Sequence, residues 1–216
     1  MPSVRLNSSR VKTAAAMLAR AFNGDPLVGY LLPDKASRPR ALEQGCACLV
    51  RYGLLRGEVY APSSAVEGVA VWLPPGAAHA SLADMARVGM PLLPLATGCG
   101  FLRRFWNYYR QLKRCWTPLV DQPFWYLQIL GVDPACQRQG HARNLLEPML
   151  DRFDRQSSSC CLDTAREENV TLYERFGFRL MECATLPGTS VTIWLMTRTA
   201  SLQNTPVRHL STSEER

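Results

Sequence analysis

The sequence lacks the patterns that several common kinds of site require. Its eight cysteines form no Cys-x-x-Cys pair, and its three histidines, His79, His141 and His209, are scattered along the chain. Zinc sites need ligands that cluster at short spacings. We therefore expect no metal site, and we expect the cysteines to serve as small apolar side chains in a reducing cytoplasm.

Long apolar runs are also missing. No run reaches the roughly 18 residues that a membrane span needs. The first six residues, MPSVRL, lack the apolar core of a signal peptide. These absences predict a cytoplasmic protein with no membrane partner.

The charge that is present is mostly positive. The formal net charge is +7, which fits nucleic acid, an anionic membrane or a phosphorylated cofactor as a partner. Because the charge is not concentrated in a long basic tail, nucleic acid is the less favoured partner. With 47% hydrophobic residues in a chain of 216, we expect one globular domain over residues 1–200, followed by a mobile polar tail at 201–216.

The first half of the chain shows helical spacing and then a hairpin. Apolar residues recur at helical spacing up to Phe22, and Ser8 or Ser9 is a candidate N-cap. Two strands are predicted at 58–61 and 66–73. The segment 77–122 that follows is longer than a simple connection needs. The sequence leaves open whether this segment is a substrate lid or an interface.

Aromatic and basic residues alternate between Phe101 and Trp116. Such interleaving can stack on nucleobases. An amphipathic helix that packs its aromatic side chains on a sheet and turns its basic side chains to water explains the same pattern. We favour the amphipathic helix.

An apolar run from Phe124 to Val132 leads, through a turn at Asp133-Pro134, into the segment QRQGHA at 137–142. That segment opens a helix predicted over 143–155. The first amides of a helix lack internal partners and carry partial positive charge, so a loop with a flexible Gly140 can approach an anion closely. An ordinary strand-to-helix turn that contains one glycine would show the same sequence. The loop alone therefore does not distinguish an anion site from a simple turn.

Three motifs in this order resemble the GNAT acetyltransferase superfamily. The segment 137–142 is similar to its Gln/Arg-x-x-Gly-x-Gly/Ala signature, the strand ending Leu130-Gly131-Val132 to its fourth strand, and residues 169–178 to its late helix with a Tyr-x-x-x-Gly-Phe ending. The closer resemblance is to the puromycin N-acetyltransferase-like branch. Two departures are visible, because Asp163 stands where that branch has a longer glutamate and Ala142 where a glycine is usual.

The resemblance implies an α/β fold with a GNAT-type mixed, mostly antiparallel sheet, flanked by helices and split between strands four and five. It implies acetyl-CoA as cosubstrate, with the pantetheine arm on the backbone of Leu130 and Val132. The side chain of Asn169 would hydrogen-bond that arm, or would merely begin a helix. The pyrophosphate would lie on the backbone amides of the loop residues Gln137, Arg138, Gln139, Gly140, His141 and Ala142.

The resemblance also assigns catalytic roles. Tyr173 is the candidate general acid, because a phenol with a pKa near 10 is protonated at neutral pH and can donate to a departing thiolate. Residues 124–132 contain no carboxylate, so the general base is less defined. Asp163 is the first candidate. Three other carboxylates and a chain of ordered water molecules are the alternatives, the carboxylates being Glu167, Glu168 and Glu174.

The resemblance therefore predicts an acetyl-CoA-dependent N-acetyltransferase that acts on a primary amine of a small molecule by direct transfer in a ternary complex. A monomer or a homodimer is expected. Two alternatives stay open at this point, a protein or peptide amine acetyltransferase and a non-enzymatic module that binds acyl-CoA or nucleic acid.

Overall fold

The structure is a computed structural model that describes residues 3–98, 100–116 and 123–200. The expected tail at 201–216 lies outside the described residues, as do positions 99 and 117–122 of the long insertion. The described strands are β1 Val4–Arg5, β2 Glu58–Ala61, β3 Gly68–Leu73, β4 Phe124–Val132, β5 Ser159–Thr164, β6 Arg179–Thr185 and β7 Thr192–Arg198. The described helices are α1 Val11–Phe22, α2 Pro26–Leu31, α3 Arg38–Arg56, α4 Leu82–Val88, α5 Leu93–Thr97, α6 Gly100–Trp116, α7 His141–Arg155 and α8 Glu168–Glu174.

The strands form one sheet in the order β1-β2-β3-β4-β5-β7-β6. All neighbours are antiparallel except β4 and β5, which run parallel. A parallel pair needs a crossover, and α7 supplies it. The prediction of a mixed, mostly antiparallel sheet flanked by helices is confirmed.

The sheet splits where β4 and β5 part. Their pairing runs from Phe124 opposite Ser159 to Leu127 opposite Leu162 and ends there. The next residue, Gln128, is a β-bulge, because Val71 and Trp72 of β3 face Ile129 and Leu127 with Gln128 left over. Beyond the bulge β4 pairs only with β3, so one edge of its last residues is open.

Helices cover both faces of the sheet, which explains why every residue of β3 is buried. On one face Val69 and Val71 share a core with residues of α1 and α3. On the other face Trp72 meets Phe153 of α7 edge-on, with ring centroids 5.2 Å apart. Gly131 lets α1 lie directly on β4, since a Cβ there would sit 2.8 Å from Leu18.

Two predicted helix starts were wrong. Neither Ser8 nor Ser9 caps α1, because both lie in a 3₁₀ turn that Asn7 caps by accepting from the Ser9 amide at 3.0 Å. The crossover helix begins at His141 rather than at 143. Its N-cap is Gly140, whose left-handed backbone allows His141 to be the first residue of the helix.

The insertion contains the expected amphipathic helix, α6, and the shorter helices α4 and α5, and the helical path is broken near Gly98, which has a φ of 74°. Within the described residues, none of the helices combines the length and the apolar character needed to cross a bilayer.

Candidate active site

The loop 137–142 joins the open end of β4 to α7. Arg138 and Gly140 both have left-handed backbone, with φ of 63° and 83°. An added Cβ at Gly140 would meet no atom within 4 Å, so this position needs glycine for its φ and not for space. Residues 137–140 are exposed, which leaves the first amides of a 15-residue helix accessible to a ligand.

Asp133 anchors the start of this loop. Its carboxylate accepts a hydrogen bond from the Ala135 amide at 3.1 Å and pairs with the guanidinium of Arg20 on α1. The Arg20 hydrogen bond is the main reason that the pKa of Asp133 is lowered. The exit of β4 is therefore fixed to α1, and the loop starts from a defined place.

One cavity of about 1300 Å³ is lined both by this loop and by residues of β4, β5, α2, α3 and α6. Tyr126 and Val132 both line it. A strand rises by about 3.3 Å per residue, so these two residues lie roughly 20 Å apart along β4. The loop therefore occupies one end of the cavity and Tyr126 the other.

Asp163 lies at the second end and is held by two tyrosines. Tyr126 of β4 donates to its Oδ1 at 2.6 Å, and Tyr108 of α6 donates to its Oδ2 at 3.0 Å. We call these three residues the Asp163 cluster. Trp116 packs edge-on against Tyr126 at 4.6 Å and closes the cluster from the side of α6.

The electrostatics of the cluster follow from its burial. Burial raises the pKa of Asp163, and the hydrogen bonds from Tyr126 and Tyr108 partly oppose that rise. Burial and the nearby carboxylate together raise the pKa of both tyrosines well above their usual range. The tyrosines therefore stay protonated as donors, while Asp163 is a stronger base than an exposed aspartate.

Tyr173 of α8 also lines the cavity and is only 6% exposed. Its ring packs edge-on against Phe178 at 5.8 Å. Burial, and then the charge of Asp163, raise the pKa of its hydroxyl, which stays protonated. Within the described part of the chain, the hydroxyl has no hydrogen-bond partner, so its proton is available to a ligand.

The remaining predicted residues sit around the same cavity, but some of their side chains are engaged. Asn169 donates to the Thr164 hydroxyl at 3.1 Å, and the Gln137 amide reaches back to the Val132 carbonyl at 3.4 Å. Leu130 pairs with Ala70 on the β3 side of β4. The described residues contain no group of three or more His, Cys, Asp or Glu side chains placed to hold a metal ion.

Sequence reasoning missed three polar groups of the site. Tyr108 and Tyr126 lie 55 and 37 residues before Asp163, and no local motif links them to it. Gln128, at the bulge, lines the cavity with a buried Oε1 that has no partner among the described residues. The available signals were Tyr126 and Gln128, two residues with polar groups inside the mostly apolar segment 124–132.

Comparisons with known proteins agree with this architecture. Residues 95–180 match the acetyltransferase (GNAT) domain. A protein of Schizosaccharomyces pombe, named as an uncharacterized N-acetyltransferase, is 26% identical over 184 residues, covering 82% of this chain and 74% of that protein.

Solved structures show the same fold. A Corynebacterium glutamicum protein described as a histone acetyltransferase and related acetyltransferase superposes with a TM-score of 0.69 at 17% identity, over 94% of this chain and 98% of that one. Arylalkylamine N-acetyltransferase 2 of Aedes aegypti gives 0.58 at 13% identity, over 92% and 98%. Polyamine N-acetyltransferase of Drosophila melanogaster, which forms N-acetylagmatine, gives 0.57 at 13%, over 91% and 98%.

The domain match over residues 95–180 and the named relative support an N-acetyltransferase enzyme. The closer resemblance to the puromycin N-acetyltransferase-like branch stays a prediction, because these matches do not separate one branch from another.

Proposed function

We propose that this enzyme transfers an acetyl group from acetyl-CoA to the primary amine of a small molecule, directly and within a ternary complex. The observation that carries the proposal is the single cavity that joins the loop 137–142 to the Asp163 cluster. The proposal includes one domain over residues 1–200, a cytoplasmic location, and a monomer or homodimer. The buried unpaired thiols, such as Cys46 and Cys161, support a reducing compartment.

The residues at the open end of the cavity fit acetyl-CoA. The exposed amides that open α7, together with Arg138 and Arg143, suit a pyrophosphate. The free edge of β4 beyond Gln128 offers backbone groups to an extended amide-containing arm, which would add to the sheet as a partial strand. Leu130 and Val132 are the residues on that edge. When bound, acetyl-CoA supplies an activated acetyl thioester and a thiolate leaving group.

Asp163 acts on the amine in this proposal. An amine is mostly protonated at neutral pH, so it must lose a proton before it can attack. The ionised carboxylate of Asp163 first attracts the ammonium and then accepts its proton, and the raised pKa of Asp163 favours that acceptance. Tyr108 and Tyr126 hold the carboxylate in place through its two oxygens.

Tyr173 acts as the proton donor in this proposal. Its hydroxyl is protonated and has no partner in the described residues, and the residue lines the same cavity. A donor of this kind can protonate a departing thiolate without first breaking a hydrogen bond inside the protein. Asn169 and Thr164, joined by a hydrogen bond, lie beside it as polar groups that can position the arm.

The test is release of free thiol when the enzyme, acetyl-CoA and a set of amines are mixed. The set contains small aliphatic and aromatic amines, amino acids, polyamines, an aminonucleoside antibiotic and lysine peptides. We expect amine-dependent thiol release, and mass spectrometry should find acetylated small amine. Turnover with peptides alone would replace the small-molecule acceptor with a protein one. Binding of acetyl-CoA without turnover of any amine would contradict the proposal.

A further inference from the structure

The acceptor end of the cavity has a composition that selects among amines. Its walls come from α2, α3 and the insertion helices, and they are mostly leucine, methionine and aromatic side chains. Examples are Leu31, Leu42, Leu49, Met85, Phe105 and Tyr109. Within this apolar surface lies one carboxylate that is held only by neutral groups, that of Asp163.

Of the other carboxylates that line this part of the cavity, Glu168 pairs with Arg166 at 2.8 Å, and Asp25 is engaged as well. Its Oδ1 accepts from the amides of Leu27 and Val28 at 2.9 and 3.3 Å, where it caps α2. Its Oδ2 lies 3.7 Å from the guanidinium of Arg166. A second cationic centre on a substrate would therefore lack a free anionic partner and would lose its hydration without compensation.

A substrate carboxylate close to Asp25 and Arg166 would also lack a free partner. The guanidinium of Arg166, which lines the cavity, is occupied by Glu168 at 2.8 Å and by the Gly24 carbonyl at 2.7 Å. Breaking those contacts to receive an α-carboxylate would leave Glu168 and Asp25 without their cation. The side chains around Asp25 and Arg166 thus disfavour amino acids as well as polyamines.

Three rings on α6 form a row that faces the cavity. Phe101, Phe105 and Tyr109 follow at intervals of four residues, so they share one side of the helix. The rings stack with centroids 5.8 Å apart for Phe101 and Phe105, and 6.4 Å apart for Phe105 and Tyr109. All three line the cavity and are only half-buried. A half-buried row of this kind offers faces and edges for another ring or an apolar body.

We propose that the acceptor is a primary amine with one cationic centre on an apolar, preferably aromatic, body. The ammonium lies at Asp163 and the body lies on the row formed by Phe101, Phe105 and Tyr109. This assignment rests on the proposed function and names its substrate class.

The test compares kcat/KM at saturating acetyl-CoA for phenylethylamine, hexylamine, spermidine, phenylalanine and a lysine peptide. We expect phenylethylamine to be best and spermidine and phenylalanine to be at least about 100-fold poorer, because a buried group without a partner is strongly rejected. If spermidine, phenylalanine or the peptide is the best substrate, the substrate class is wrong while the acetyltransferase function stands. If no amine is turned over, the proposed function itself fails.

Two neighbouring aromatic residues provide a matched pair of variants. Phe105 lines the cavity, whereas Trp106, the next residue, does not line it and is 58% exposed. We expect Phe105→Ala to raise the KM for phenylethylamine about tenfold, with the KM for acetyl-CoA unchanged. Trp106→Ala should change neither constant. Phe105→Leu keeps most of the volume and should raise the same KM a few-fold. A folded Phe105→Ala or Phe105→Leu enzyme with the KM of the wild type would overturn the placement of the substrate.

Discussion

The loop 137–142 and the Asp163 cluster line the same cavity, but they are made of different parts of the chain. The loop is exposed and offers backbone amides in a fixed left-handed geometry. The cluster offers partly buried side chains whose pKa values depend on one another. In the proposed function, the backbone end binds the cosubstrate, which is the same in every turnover, and the side-chain end selects and activates the acceptor.

This comparison predicts that variants at the two ends fail in different ways. Changes near the Asp163 cluster and Tyr173 should lower the rate of acetyl transfer. Changes in the loop should weaken acetyl-CoA binding and leave the rate at saturation almost intact.

The largest effect is expected for Tyr173→Phe. The substitution keeps the ring that packs on Phe178 and removes only the proton donor. General acid catalysis contributes about 10²- to 10⁴-fold, so kcat should fall by that range while the KM for acetyl-CoA changes little. Rates should be measured where chemistry limits turnover. A folded variant with the kcat of the wild type would remove Tyr173 from the mechanism and leave the fold and binding assignments intact.

Asp163→Asn should cost activity and gain stability. Loss of the base should lower kcat/KM for the amine by about 100-fold. Burial raises the pKa of Asp163, so its contribution to stability is fully present below its unfolded-state pKa and is lost as pH rises through its folded-state pKa.

At pH 8 the variant should therefore melt at a higher temperature than the wild type. Each kcal/mol gained in the free energy of unfolding should raise the melting temperature by about 2–4 °C. The difference should shrink towards pH 4. Calorimetry at both pH values checks this. A variant that melts lower than the wild type at pH 8 would show that the carboxylate is a stabilising group instead.

Gly140→Val should act at the other end of the cavity. A β-branched residue is strained at a φ of 83°, and a distorted loop would present its amides poorly. We expect the dissociation constant of acetyl-CoA to rise about tenfold or more, since left-handed backbone costs roughly 1–2 kcal/mol outside glycine.

Gly188→Val is the matched control for Gly140→Val. Gly188 has a φ of 74°, would also have no atom within 4 Å of an added Cβ, and does not line the cavity. This control should share the strain and keep the affinity. Equal loss of affinity in both variants would mean that general destabilisation, and not the loop, is responsible.

The smallest effect is a shift in pH dependence for Tyr126→Phe. The hydrogen bond from Tyr126 is the strongest influence that lowers the pKa of Asp163. Loss of this hydrogen bond should move the acidic limb of the pH profile of kcat/KM to higher pH. The value of kcat/KM on the plateau above that limb should stay within a few-fold of the wild type.

Tyr60→Phe removes a similar hydrogen bond, from Tyr60 to Glu58 at 2.9 Å, away from the cavity. In this control, the acidic limb of the pH profile of kcat/KM should not move. A limb that stays in place for Tyr126→Phe would show that Asp163 does not set the pH dependence.

The same comparison explains how much of the site could be predicted from sequence. The loop was predicted because its geometry depends on glycine at one position of a short motif, Gly140. The open edge of β4 and a bulge beside it were expected from the resemblance, whereas the position of the bulge at Gln128 was not, because it depends on the register of two strands. The partners of Asp163 were not predicted, because helix α6 brings Tyr108 to it from a distant part of the chain.

The start of α1 is another feature that the sequence predicted only in part. Ser8 and Ser9 have the composition of an N-cap, but Asn7 makes the hydrogen bond. Neighbouring residues with similar propensities compete, and local geometry decides between them. Sequence located this helix end to within a few residues and did not identify the group that caps it.

The most direct test of the division between the two ends is calorimetric titration of acetyl-CoA into the Asp163→Asn enzyme, with wild type and Gly140→Val titrated alongside. Our account predicts that Asp163→Asn binds with the affinity of the wild type although its turnover has collapsed, while Gly140→Val binds about tenfold more weakly or worse. A dissociation constant for Asp163→Asn raised as much as that of Gly140→Val would contradict the account, because both ends of the cavity would then contribute to the same step.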